Sequence, residues 1–316
     1  MTGRRSGRGL SARRRIAAAA AAVALVPTTA FAQAWTPPAR VGAVAIVVEG
    51  LDQAGHQVDD GRIIPDGKSV NVDLAARIEY AFTDRLAVAA SLPYVLSKYR
   101  GPDGPPPGIP FLSVDSCFCW HGDVQDVTAD VRYNAVNLRR RFVVTPEFGV
   151  VVPSHAYPYK GEAVPGRDLR EVRVGVEAGV RLDAISPRLF VSGRYAYGFV
   201  ERVLGIDNDR SLYGGDAAFA VTRRFSVQGF VAAQQTHGGL RFPDEIVGYP
   251  DRVAEHDRLL RDDYVHAGGG AAYAWRSIEI DGSVELHVWG RNTHVVRAYT
   301  ISVRLPFERA APKPHK

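Results

Sequence analysis

Between residues 69 and 96 apolar and polar positions alternate with a period of two on both sides of a sharp reversal. Val70, Val72, Leu74, Ala76, Ile78, Tyr80 and Phe82 take one parity, and Ser69, Asn71, Asp73, Arg77 and Glu79 take the other. After Thr83-Asp84-Arg85 the apolar parity resumes with Leu86, Val88, Ala90, Leu92, Tyr94 and Leu96. Period two is the signature of a strand with one face apolar. A soluble strand ends after ~5–6 residues, whereas a tilted strand crossing a bilayer needs ~9–11. The segment therefore predicts two membrane-crossing strands and a tight turn.

The same parity recurs along the chain and predicts about twelve strands, within the ~8–26 of transmembrane barrels. They cover 40–49, the two of 69–96, then 126–135, 142–152, 171–182, 189–199, 213–221, 225–233, 265–275, 278–288 and 295–307. Gly268-Gly269-Gly270 is expected to weaken its strand or to mark a bend or bulge. Connections alternate in length. Short ones fall at 83–84, 137–140, 184–187, 222–224 and 276–277; longer ones at 50–67, 98–122, 154–168, 202–210, 235–262 and, more modestly, 290–294. A Greek-key sandwich gives no reason for this asymmetry. It predicts an all-β, antiparallel up-and-down transmembrane β-barrel with both termini periplasmic. Aromatics on the apolar parity gather beside the short turns (Tyr80, Phe82, Tyr133, Phe142, Phe219, Phe225, Tyr273, Trp275, Phe307), as an inner girdle would. Tyr94, Tyr197, Phe199 and Tyr213 are candidates for the outer one.

The N-terminus does not share the pattern. Residues 1–32 carry a basic start (Arg4, Arg5, Arg8, Arg13 to Arg15), an apolar run over 16–26 and Ala30-Phe31-Ala32 before Gln33, as a cleaved secretory signal does. A retained helix is disfavoured, because the run is shorter than the ~20 residues a span needs. The barrel would then cover 33–307, with a short tail at 308–316. The chain holds 39 Lys+Arg against 34 Asp+Glu, and six of those arginines lie in the signal. The sequence pI of 9.2 thus reflects the leader, and no nucleic-acid partner is implied. No other apolar run approaches a transmembrane helix, so membrane residence would have to come through a barrel.

Several short motifs carry a resemblance. Thr83-Asp84-Arg85-Leu86 leading into Ser91-Leu92-Pro93-Tyr94, His121-Gly122 with Gln125-Asp126 and Arg132-Tyr133-Asn134, Pro153-Ser154-His155, and Gly290-Arg291-Asn292-Thr293-His294 resemble the outer-membrane β-barrels grouped with the phenol meta-degradation pathway. The resemblance implies an uptake channel for hydrophobic compounds. Tyr299, Ile301, Val303, Leu305 and Phe307 also resemble the aromatic-terminated last strand read by the barrel-assembly machinery, although residues 308–316 follow the Phe. Expected partners are outer-membrane lipid, that machinery and a small solute of unknown identity; no cofactor is implied.

If the apolar parity meets lipid, the opposite parity lines the lumen. Asp73, Arg77, Glu79, Asp130, Arg132, Glu147, Arg173, Glu177, Arg181, Arg194, Asp281 and Glu285 then face inward, both signs interleaved. They either pair and fill a narrow barrel or line a conducting, solute-selective path. Cys117 and Cys119 in an exported chain point first to a disulfide, with free thiols or a soft-metal site shared with His121 as alternatives. The histidines other than His315 fall in outer loops or near the outer strand ends without metal-ligand spacing, and no metal is assigned. The loop 235–262 contains a charged stretch with Val253, Leu259 and Leu260 that suits a short helix over the mouth. Three functions stay open: a channel, a barrel hydrolase built from Asp, His and Ser at the outer rim, and a closed structural barrel.

Overall fold

The computed structural model describes residues 34–65, 68–100, 119–160 and 163–308. The expected signal, most of the expected tail and Cys117 lie outside them. Twelve strands form the wall: β1 (Val41–Gln57), β2 (Ser69–Ala81), β3 (Leu86–Tyr99), β4 (Val127–Tyr133), β5 (Phe142–Val152), β6 (Glu171–Arg181), β7 (Leu189–Val200), β8 (Asn208–Ala220), β9 (Phe225–Gly238), β10 (Asp263–Trp275), β11 (Ile278–Arg291) and β12 (Thr293–Glu308). Each pairs antiparallel with its neighbours in sequence, and β12 pairs back onto β1 from Val41↔Glu308 to Gln57↔Thr293. This is a closed up-and-down barrel, with the short pieces His121–Val124 and Val136–Leu138 beside β4. Closure satisfies the backbone without leaving a sheet edge, the condition for crossing a bilayer with strands.

The apolar parity lies on the outside. Ile46, Leu74, Ile78, Leu92, Phe148, Val174 and Ile301 are all 45% exposed or more, although their opposite-parity neighbours are enclosed. An apolar belt of this kind around a closed barrel is built to be covered by lipid. Phe82, Tyr133, Phe142, Tyr273, Trp275 and Phe307 stand exposed at the short-turn end, and Tyr94, Phe199 and Tyr213 towards the other. No described helix is long and apolar enough to cross a membrane.

Three expectations need correction. The strands run further towards the long-loop end than the alternation reached: β1 continues to Gln57, β8 starts at Asn208 and β9 runs to Gly238. Beyond the lipid belt both faces are polar, so the ladder continues where the alternation has already stopped. Between β11 and β12 there is no loop of 290–294, only Asn292, buried and at φ 50 in the left-handed region that Asn tolerates. The triple glycine stays in register, and the irregularity falls at Val265/His266. Gly268 is still required sterically, because a Cβ there would sit 2.4 Å from the Val284 carbonyl oxygen and from the Phe230 ring.

Candidate functional site: a charge-lined lumen

The interior is a cavity of about 710 Å³. Asp73, Arg77, Glu79, Asp130, Arg132, Glu147, Arg173, Arg181 and Arg194 all line it. Glu177, Asp281 and Glu285 sit on the same interior parity and are held by neighbours. Ser192 donates to Glu177 at 3.2 Å, Ser302 donates to Asp281 at 2.6 Å, and His266 lies 2.8 Å from Glu285.

The charges are organised into two walls. On one, Arg132 bonds Glu79 and lies 3.2 Å from Asp130, while Arg304 reaches Glu79 at 3.0 Å and Glu279 at 3.5 Å. This chain crosses from β4 to β2 to β12 to β11, stepping over β3 and β1. It can do so because the intervening inward positions are alanines: Glu79 is in register with Ala89 on β3 and Ala43 on β1. Small residues on alternate strands therefore let long charged side chains meet above them. On the other wall, Arg173 and Arg210 share Glu171 at 2.8 and 3.0 Å. Arg77 and Arg194 form no ion pair within 4 Å among the described residues.

At the short-turn end the segment before β1 enters the lumen. Trp35, Thr36, Pro37 and Pro38 form part of the cavity wall. Trp35 packs edge-on against Phe190 at 5.7 Å, and its indole N–H donates to the Arg140 carbonyl at 3.2 Å. Thr145 donates to the Ala34 carbonyl at 2.7 Å, and the Asp84 side chain accepts from the Ala39 N–H at 2.8 Å. Gly179 makes room: a Cβ there would lie 2.5 Å from the indole. Sequence reasoning missed this element. Its one local signal is a Trp and two prolines immediately after the expected cleavage point, an apolar and stiff composition for a free leader end.

At the other end the loop after β9 folds over the mouth, with helices α1 (Pro250–Ala254) and α2 (His256–Leu259). Leu259 is fully buried against Leu169, Val200 and Val203, with Ile206 and Leu240 packed alongside. Arg258 donates to Glu255 and Glu201 at 3.0 Å each and to the Asp168 carbonyl at 3.1 Å, and it covers the Tyr159 ring at 4.4 Å. Lys160 pairs with Glu255 at 2.8 Å and Arg167 with Asp262 at 3.0 Å. Burial alone would raise the Asp257 carboxyl, but the His256 ring beside it, with His294 and Arg167, outweighs that and holds it well below the usual carboxylate range.

Two chemical alternatives can be weighed here. Ser154 Oγ lies 2.9 Å from His155 Nδ1, and His155 Nε2 lies 3.2 Å from Asp123. The hydroxyl also donates to the Val124 carbonyl at 2.9 Å. The Ser154 oxygen thus has a backbone carbonyl and the imidazole at the same distance, and the trio ties the loop to the wall. Cys119 is disulfide-bonded. Among the described residues no group of three or more His, Cys, Asp or Glu is arranged to hold a metal.

A crystal structure of an outer-membrane channel from Pseudomonas putida F1 superposes on this chain with a TM-score of 0.65 at 13% identity, covering 88% of this chain and all of that one. The chain has the fold of an outer-membrane channel. Weaker likenesses are to the CymD monoaromatic hydrocarbon channel (TM-score 0.46, 12% identity, 86% of this chain and 90% of that one) and to the KdgM porin (0.44, 10%, 84% and 99%). No protein-family model matches the chain, and no curated protein matches its sequence.

Proposed function

We propose that the chain is an outer-membrane channel for small solutes. The observation that carries this reading is the charge-lined cavity of about 710 Å³ inside a barrel whose outer face is an apolar belt. A purely structural barrel would be expected to fill its interior with packed side chains, as small barrels do. The sequence resemblance supports hydrophobic compounds of the phenol meta-degradation kind as solutes. Short turns on one end and long loops on the other support periplasmic termini, with the last strand serving the barrel-assembly machinery and the belt contacting outer-membrane lipid. Enzymatic turnover is not part of this reading.

Passage requires one closure to move. The segment 34–38 is held by one ring contact and a few separate hydrogen bonds, to Asp84 on one side and to Arg140 and Thr145 on the other, which makes it the closure that yields first. Refolded protein in planar bilayers should show stable single-channel openings, and liposomes containing it should swell in small neutral solutes. Silence in both assays, with the barrel shown to be folded by heat-modifiable migration, would overturn the reading.

A further inference from the structure

Four arginines converge beneath the cap at the long-loop end. Arg167 from the connection before β6, Arg173 on β6, Arg194 on β7 and Arg210 on β8 line a second pocket, of about 330 Å³, in which Leu212 supplies apolar surface and Asp262 is the one acidic side chain. Asp262 is engaged by Arg167 at 3.0 Å, and Glu171 is shared by Arg173 and Arg210. Two carboxylates thus serve three guanidiniums, and Arg194 forms no ion pair within 4 Å among the described residues. Asp130, Glu147, Glu177 and Asp216 act on Arg194 from β4, β5, β6 and β8 without coming within ion-pair distance. The Arg194 guanidinium lies along Gly214, where a Cβ would stand 3.6 Å from its Nε. The Nε of Arg210 is buried with no hydrogen-bond partner among the described residues. The pocket therefore offers several donors that the protein leaves open.

This pocket communicates with the main cavity, since Arg173, Arg194 and Leu212 line both. Across the lumen, Glu49 and Asp73 sit directly opposite each other on β1 and β2 and face the same cavity. An anion is repelled by that wall and attracted by the arginine wall. A guanidinium fork matches a carboxylate with two parallel hydrogen bonds. Leu212 beside the fork favours an organic group over a bare inorganic ion, and the volume falls at the small end of the ~300–1,000 Å³ of ligand pockets.

We propose that the arginine pocket is a binding subsite for a small organic carboxylate, with Arg194 as its principal anchor. The proposal rests on the channel reading and names the class of solute that channel retains. Arg194→Lys keeps the positive charge that Glu147, Glu177 and Asp216 face, so comparing it with Arg194→Gln separates loss of the fork from loss of that charge.

The test uses the full mature chain in planar bilayers at about 0.1 M salt, where the screening length is still ~10 Å. Benzoate is compared with benzyl alcohol and benzylammonium, which share its ring but not its charge. Benzoate should reduce the current saturably and the other two should not. Arg194→Gln should raise the half-blocking concentration roughly tenfold or more, as expected for loss of a charge-assisted hydrogen-bond pair, with Arg194→Lys in between. Equal block by benzyl alcohol, a wild-type titration in Arg194→Gln, or an open channel indifferent to benzoate would overturn the subsite while leaving the channel standing. A folded but silent barrel would instead overturn the channel reading. Calorimetric titration of the micelle-held chain with benzoate then decides the subsite alone: heat that depends on Arg194 supports it, and absence of heat overturns it.

Discussion

The two ends of the barrel are closed by different physics. The cap at the long-loop end belongs to a loop anchored at both ends, with its own apolar cluster around Leu259 and an Arg258 bonded to Glu201, Glu255 and the Asp168 backbone. The closure at the short-turn end is a few residues ahead of β1, held by Trp35 against Phe190 and by separate hydrogen bonds: Thr145 donates to the Ala34 carbonyl, Trp35 to the Arg140 carbonyl, Thr36 to the Asp84 carbonyl and the Ala39 N–H to the Asp84 carboxylate. The neutral ones among these contribute ~0.5–1.5 kcal/mol each and the one to the Asp84 carboxylate ~1.5–3 kcal/mol. Withdrawing the segment breaks a handful of them and re-solvates one indole, whereas opening the cap must expose an apolar cluster and separate enclosed charges. In the proposed channel the cap is then the fixed end and the segment 34–38 the end that yields first, so the short-turn end would govern conductance.

Deleting residues 34–38 makes the sharpest cut through that contrast. Single-channel conductance should rise several-fold, because Trp35 and the two prolines that form part of the cavity wall would be gone, while heat-modifiable migration should show the barrel intact. If conductance is unchanged, the cap is the constriction and the roles of the two ends are reversed.

The next effect is at the other end. Arg258→Ala leaves Glu201 and Glu255 facing the same enclosed space, and breaking a buried pair in this way costs ~3–5 kcal/mol. Lys160 still neutralises Glu255 and Arg170 lies 3.7 Å from Glu201, which places the cost near the lower figure. The loop around 250–260 should become sensitive to added protease in proteoliposomes or outer-membrane vesicles that present it to the enzyme. Resistance equal to that of the wild type would mean that Leu259 and its apolar neighbours hold the cap unaided.

The fold was largely legible in the sequence for a reason that also marks where legibility ends. Inside the lipid belt each strand position faces one of two opposite solvents, so alternation is forced and positions such as Val174 and Arg173 declare their sides. Outside it both faces meet water or loops, and the outer parts of β1, β8 and β9 lose the pattern while keeping the ladder. The lumen was legible as a set but not as pairs. Nothing local in the sequence says that Arg304 meets Glu79, since the contact depends on β1 lying between their strands and carrying Ala43 and Ala45 inward. The N-terminal segment 34–38 was illegible because its partners, Thr145, Phe190 and Asp84, are brought to it only by closure of the barrel. The arginine pocket was half visible: Arg173 and Arg194 follow from parity, whereas Arg167 comes from a loop and Arg210 from an extension of β8 that alternation did not reach.

The comparison of the two ends presumes that both close the same polar lumen, so the facing of the wall is its foundation. Val176 is the central residue of β6 and is 39% exposed on the outer parity. An arginine there would stand near the middle of the lipid belt, where it costs ~2–4 kcal/mol. Arg173→Ala on the inner parity of the same strand should cost less, because Glu171 keeps Arg210 at 3.0 Å. In a heat-modifiability gel of membrane fractions, Val176→Arg should therefore deplete the folded band more than Arg173→Ala does. Equal depletion would mean that the two parities meet similar surroundings. The lumen, its two closures and the arginine wall would then all have to be reassigned.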